Sequence, residues 1–200
     1  DVSAITDAQI EVEMAKMRGT IMQRPSSVSA VKVDGERAYD RVRAGESVEL
    51  AAREVTISQL DIKDVRRIEN AIEVDIEVTC SAGTFIRAIA RDCGDALAVG
   101  GHLNSLRRTR VAGFGLDKSI SLTALKAGEF STLGLVDVAR TTFSARELAL
   151  DEVNELSFGR PLSANPDEAI YAAISGQDLI ALLCNKDGLA KPIAVFAAAN

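Results

Sequence analysis

Residues 80–97 read CSAGTFIRAIARDCGDAL, and within them Arg87 and Arg91 stand one helical turn apart behind a Ser-Ala-Gly turn. Two like charges at that spacing repel by about a few tenths of a kcal/mol unless an anion lies beside them. A planar guanidinium fork suits a carboxylate or a phosphate, which it holds at two points. A second group of arginines, Arg107, Arg108 and Arg110, is packed into LNSLRRTRVAGFGL (residues 103–116). Phosphates of a nucleic-acid backbone are the natural partners of such a cluster. His102, the one histidine, follows Gly100-Gly101 and reads as a hydrogen-bonding structural residue, not as an acid–base catalyst. Cys80, Cys93 and Cys184 are odd in number, far apart and without zinc spacing. Reduced thiols in a cytoplasmic protein are therefore expected, and a metal is not.

The distribution of charge says more than its sum. The net charge is −6, yet residues 16–43 carry seven basic groups (Lys16, Arg18, Arg24, Lys32, Arg37, Arg41, Arg43) against Asp34, Glu36 and Asp40. Residues 101–118 carry Arg107, Arg108, Arg110 and Lys118 against Asp117 alone, whereas the last fifty residues hold three basic groups and seven acids. Two basic stretches sit inside an acidic chain, so an RNA partner is open to the first two thirds and direct phosphate contact is doubtful in the last sixty residues. The apolar runs are far too short to span a bilayer, so no membrane partner is expected.

The elements that must position these residues can be read from pattern. Thr6 is placed to cap a first helix with Ile10, Met14 and Met17 along one side, ending at Gly19. QRPSSVSAVKVDGERAY follows, where Pro25 and the serines mark an extended or loop stretch and Asp34-Gly35 a tight turn. Ala38 to Ala44 has helical character, with Gly45 as its stop. Residues 53–64 read as a strand in which Val55/Ile57 and Leu60/Ile62 are out of step by one residue, as a bulge would make them. Residues 71–80, AIEVDIEVTC, alternate without a flaw and predict a strand with one buried face. A helix of about fourteen residues is predicted to begin near Thr84. A strand over 103–114 would put Arg108 and Arg110 on one face and Arg107 on the other. Ser121 should cap a short helix, residues 144–156 should form another, and AIYAAI, DLIALLC and KPIAVF read as short strands of a β-rich C-terminal part.

Three stretches together resemble the TruB family of tRNA pseudouridine synthases. QRPSSVSAVKVDGERAYDRVRAG is similar to that family's thumb loop, QxPPxxSAxKxxGxxxYxxARxG. CSAGTFIRAIARDCGDAL is similar to its CSxGTYIRxLxxDLGxxL motif, and GGHLNSLRRTRVAGF to its GxxAHLxxLRRTxxGxF motif. The register is continuous over roughly residues 1–125. Ser26 replaces the second proline of the thumb, Phe85 a tyrosine and Cys93 a leucine, all acceptable for packing.

The resemblance implies a mixed α/β (α+β) catalytic domain with a central antiparallel sheet over residues 1–140, its thumb at about 23–45, and a small PUA-like β-domain over 141–200. It implies isomerisation of the uridine at position 55, in the T-arm loop of tRNA, with no metal or redox cofactor. Arg87 would pair with the nucleophilic aspartate and aim it, and Leu106 would pack on the flipped uracil. Lys32, Arg37, Tyr39 and Arg43 of the thumb, with Arg91, Arg107, Arg108 and Arg110, would contact RNA. The family's Gly-Thr-Leu-Asp-Pro type segment, which carries that aspartate, does not occur in these 200 residues, and the chain opens on DVSAITDAQI. The expectation is the C-terminal part of such an enzyme, inactive by itself, monomeric once completed by an N-terminal part. Two other readings stay open: a non-catalytic RNA-binding module of this descent, and a guide-RNA-dependent relative. The Asp34-Gly35 turn and the spacing of Tyr39 and Arg43 favour the stand-alone enzyme.

Overall fold

The computed structural model describes residues 1–25, 32–33, 36–37, 43, 45, 50–165 and 170–197, and the chain forms two compact units, Asp1–Leu106 and Arg107–Asn200. No helix among the described residues is long and apolar enough to cross a membrane.

The first unit begins with helix α1 (Asp7–Ala15). Thr6 caps it as predicted: its hydroxyl accepts from the Gln9 N–H, and the Gln9 side chain accepts from the Thr6 N–H at 2.9 Å. This reciprocal arrangement satisfies two donors that a helix start leaves bare. Strands β1 (Gly19–Gln23), β4 (Arg53–Ile68) and β5 (Ala71–Cys80) form an antiparallel sheet in the order β1-β4-β5. Between β1 and β4, β2 (Lys32–Val33) pairs with β3 (Glu36–Arg37), Val33 opposite Glu36, leaving a two-residue connection at 34–35. Positions 34–35 themselves, and the predicted helical stretch apart from helical Arg43, lie outside the described residues. Gly45 has φ +89, the left-handed value that favours glycine.

The predicted bulge is present. Ile57 pairs with Cys80 but Gln59 with Thr79, so Ser58 is the extra residue. The slip turns both Ile57 and Leu60 into the core, where each is fully buried beside Ile10 and Met14 of α1 and Ile89 and Cys93 of helix α2 (Ile86–Ala96). Each such side chain contributes about 1.5–3 kcal/mol relative to exposure. Burial pushes the Cys93 thiol up, with Glu13 adding to the effect, so it stays protonated and acts as a small apolar group. On the exposed side of β4 and β5, Arg66 holds Asp64 at 2.6 Å and Asp75 at 2.7 Å, and keeps the Asp75 carboxyl below its usual range.

The second unit opens with a hairpin of β6 (Arg110–Val111) and β7 (Phe114–Gly115), followed by a 3₁₀ turn (Leu116–Lys118) and helices α3 (Leu122–Ala127) and α4 (Leu135–Thr142). Ser121 caps α3 as predicted, accepting the Ala124 N–H at 3.1 Å. A five-stranded sheet follows in the order β8-β10-β11-β12-β9, made of β8 (Ser144–Glu147), β9 (Leu162–Ser163), β10 (Tyr171–Ser175), β11 (Asp178–Lys186) and β12 (Leu189–Val195). Helix α5 (Leu150–Ser157) lies between β8 and β9 in sequence. Tyr171 and Ala173 join the cluster around Leu156 of α5, while Ala172 and Ile174 join the one around Val136 and Ala139 of α4. A strand buried on both faces has no polar alternation, which is why YAAI reads as a continuous apolar run.

Two expected elements differ. Residues 144–147 are a strand and not the start of a helix, because they pair in parallel with Tyr171 to Ile174, and a local helical tendency yields to that ladder. Residues 102–109 form no strand. Only Arg110 and Val111 enter a ladder, with Gly115 and Phe114 as partners, so the alternation expected for 103–114 has no sheet to impose it.

Candidate active site

Every residue of the turn that leads into α2, except Ala82, is held by a specific bond. Ser81 and Thr56 exchange two: the Ser81 N–H donates to the Thr56 carbonyl at 2.8 Å, and the Thr56 N–H to the Ser81 hydroxyl at 3.0 Å. The Gly83 carbonyl accepts from Arg53 Nη2 at 2.6 Å. The Thr84 hydroxyl donates back to the Ser81 carbonyl at 2.9 Å. Phe85, which caps α2 without any side-chain bond of its own, is gripped by Gln23, whose Oε1 accepts the Phe85 N–H at 2.7 Å and whose Nε2 donates to the Phe85 carbonyl at 3.1 Å. Gly83 has φ +84, so a side chain there would strain the backbone, although its Cβ would meet the Arg53 guanidinium only at an ordinary contact distance of 3.6 Å. Because these bonds occupy residues 81–85, α2 starts at Ile86 and runs eleven residues, not the fourteen predicted from Thr84.

Ala88, Ile89 and Cys93 face the core, and Arg87 is exposed in the first turn of α2. Arg91 is half-buried and engaged within the chain: it pairs with Asp92 at 2.6 Å and donates to the Arg24 carbonyl at 2.8 Å, just beyond β1. The two arginines at helical spacing thus have different surroundings, and the repulsion expected between them is relieved at Arg91 by an internal carboxylate.

Beyond α2 the chain doubles back across it. The Val99 and Gly100 N–H groups both donate to the Gly94 carbonyl at 3.0 Å. A Cβ on Gly94 would stand 2.1 Å from the Gly100 carbonyl carbon, and one on Gly101 would stand 2.1 Å from the Ala90 oxygen. Distances that short against backbone cannot be relieved by a rotamer change. Gly94→Ala is expected to destabilise the first unit by about 2–3 kcal/mol through forced backbone movement, read as a lower midpoint in urea. This fold-back carries His102 and Leu106 out to the surface. His102 is exposed, and Leu106 is 60% exposed, so it is no part of the core.

Arg107, Arg108 and Arg110 open the second unit and are all exposed. The two-faced arrangement predicted for them lapses with the strand. In the thumb, Lys32 and Arg37 are register partners across β2 and β3, Arg43 is exposed, and Tyr39 lies outside the described residues. Among the described residues, no three metal-ligating side chains are gathered in one place. The sequence reading quoted Gln23 as the first residue of the thumb motif but gave it no role, and it missed Arg53. The signal for Gln23 was a polar residue in step with Ile21 on the inward side of β1; nothing local marks Arg53.

Three family descriptions cover this chain in order: TruB family pseudouridylate synthase (N terminal domain) over residues 1–86, tRNA pseudouridylate synthase B C-terminal domain over 87–132, and tRNA Pseudouridine synthase II, C terminal, over 143–197. The tRNA pseudouridine synthase B of Mycobacteroides abscessus is 50% identical over 99% of this chain and 67% of its own length. The chain belongs to the TruB family. A TruB relative from Arthrobacter sp. (strain FB24) is 46% identical over 99% of the chain and 68% of its own length, and one from Corynebacterium diphtheriae is 41% identical over 94% and 62%. The chain thus spans about two thirds of the length of these curated relatives. The mixed α+β architecture agrees with a chain from the crystal structure of a Cbf5-Nop10-Gar1 complex, at a TM-score of 0.69 over 98% of this chain and 64% of that one. Identity there is 20%, so that likeness concerns the TruB-like fold alone.

Proposed function

We propose that this chain forms part of a tRNA pseudouridine-55 synthase, which isomerises a uridine in the T-arm loop. The uracil is detached from its ribose, turned and rejoined through carbon, so the atoms balance without a cofactor. The observation that carries the reading is the turn 81–85, braced at every residue but Ala82, which delivers Arg87 to the surface in the first turn of α2 within the motif CSAGTFIR. Arg87 holds the nucleophilic aspartate ionised and aimed; an adjacent guanidinium lowers a partly buried carboxyl by about one to three pKa units. That aspartate comes from a segment outside these 200 residues, since no Gly-Thr-Leu-Asp-Pro type stretch occurs in them. Leu106, apolar and exposed beside Arg107 in sequence, packs on the flipped base and offsets part of the few kcal/mol lost in unstacking. The thumb residues Lys32, Arg37, Tyr39 and Arg43, with Arg107, Arg108 and Arg110, contact RNA phosphates. Arg91, already paired with Asp92, contributes by fixing the root of the thumb. The completed enzyme works in the cytoplasm as a monomer. Identities of 41–50% to proteins named tRNA pseudouridine synthase B favour tRNA over guide-directed substrates.

The test is pseudouridine formation in a T-arm stem–loop by a full-length synthase carrying this chain, and by the chain with and without the missing segment added in trans. Turnover only when that segment is present is the expected result. RNA binding without turnover in the full-length protein would make the chain a non-catalytic RNA-binding module instead.

A further inference from the structure

We infer that Gln23, together with Arg53, is the positioning device for Arg87: the residues that end β1 and begin β4 jointly grip the turn that starts the arginine helix. The inference rests on the synthase reading above and goes beyond it, since neither residue belongs to the motifs' charged or base-contacting set.

Gln23 is 2% exposed and the one buried polar or charged side chain among the described residues. A buried amide is costly unless its bonds are made, and this one spends both ends on a single residue, accepting from the Phe85 N–H and donating to the Phe85 carbonyl. That carbonyl also accepts the Ala88 N–H at 3.0 Å, the first bond of α2, so Gln23 acts on the hinge between turn and helix. Directly across the ladder from Gln23 stands Arg53, its register partner. Arg53 donates to the Gly83 carbonyl, and its guanidinium lies over the Phe85 ring, 4.6 Å from the centroid. Gln23 ends β1 and Arg53 begins β4, so all of residues 24–52 are strung between them. The last residue of β1 and the first of β4 therefore hold the two residues, Gly83 and Phe85, that set the direction of α2, and Arg87 is two positions farther on. A purely structural amide would lower the population of folded enzyme; a positioning amide lowers the turnover of each folded molecule.

The experiment is steady-state pseudouridine formation by the full-length synthase, per folded molecule, with T-arm RNA. Gln23→Met keeps the length of the side chain and loses both bonds. The expected result is a kcat lower by about tenfold with KM within about twofold, since misplacement of a reacting group by even 1 Å is costly while the RNA-binding groups are untouched. Unchanged kcat, or a loss confined to KM, overturns the inference. If Gln23→Met does not fold, Arg53→Met decides alone, because Arg53 is at the surface: a kcat lower by about threefold at constant KM supports the inference, and an unchanged kcat overturns it. The unsubstituted synthase separates the two readings. No turnover from it overturns the functional reading and this inference with it; turnover from it, with the variants unaffected, overturns this inference alone.

Discussion

Arg87→Lys in the full-length synthase is expected to lower pseudouridine turnover by about 100-fold while leaving T-arm RNA affinity within about twofold. The reasoning starts from the geometry of the fork. Lysine keeps the positive charge, so a role in long-range attraction of RNA would survive the change. What it loses is the planar pair of donors that hold a carboxylate at two points and fix its direction. An aspartate held by a point charge is still ionised but free to swing, and a misaimed nucleophile costs rate rather than binding. The bracing around Arg87 suits the proposed role. Ser81, Gly83, Thr84 and Phe85 are each tied down, and the helix that carries Arg87 is anchored through Ile89 and Cys93 in the core. Measured kcat and a separately measured dissociation constant for catalytically inert RNA decide the matter. Equal turnover by both proteins would remove Arg87 from the chemistry.

The parts of this arrangement that were legible in the sequence are those set by local rules. Thr6 and Ser121 announced their helices because a side-chain oxygen next to the first turn satisfies bare N–H groups wherever it occurs. The slip between Ile57 and Leu60 announced a bulge because period two admits no other way of keeping both inside. The motif around Arg87 was legible through resemblance, but its bracing was not. Gln23 and Phe85 are 62 residues apart, and no periodicity links an amide at the end of one strand to the cap of a distant helix. The errors share that origin. Residues 144–147 have a helical composition and become a strand only because β10 offers a parallel edge. The arginine-rich stretch alternates like a strand but meets a partner only at Arg110 and Val111. Whether an extended segment becomes a strand depends on its neighbour, which single-sequence patterning does not contain.

That last correction changes what the arginines should do. On a strand, Arg107 would have been turned away from Arg108 and Arg110, and at most two of the three could have met one phosphate backbone. Arg107 and Arg108 lie outside any ladder, Arg110 enters only the short one with Gly115, and all three are exposed, so no strand alternation divides them. Replacing Arg107, Arg108 and Arg110 together by alanine is therefore expected to weaken T-arm RNA binding by about 30-fold near 0.1 M salt, and to lower the slope of log affinity against log salt by about 0.7–0.9 for each phosphate left without its arginine. Bonds to phosphate position the ligand without reading its sequence, so an unrelated stem–loop should lose affinity in the same proportion. Turnover at saturating RNA should fall far less than binding, because Arg87 and Leu106, the groups proposed to face the nucleophile and the base, remain. Titrations of both RNAs at several salt concentrations test each part. A slope unchanged by the triple substitution would exclude these arginines from the phosphate interface, and a loss restricted to the T-arm sequence would assign them to base recognition. A three-residue change with full effect on the slope would place the phosphate-binding surface where the sequence changes from LNSL to RRTR, directly after the exposed leucine proposed to face the flipped base.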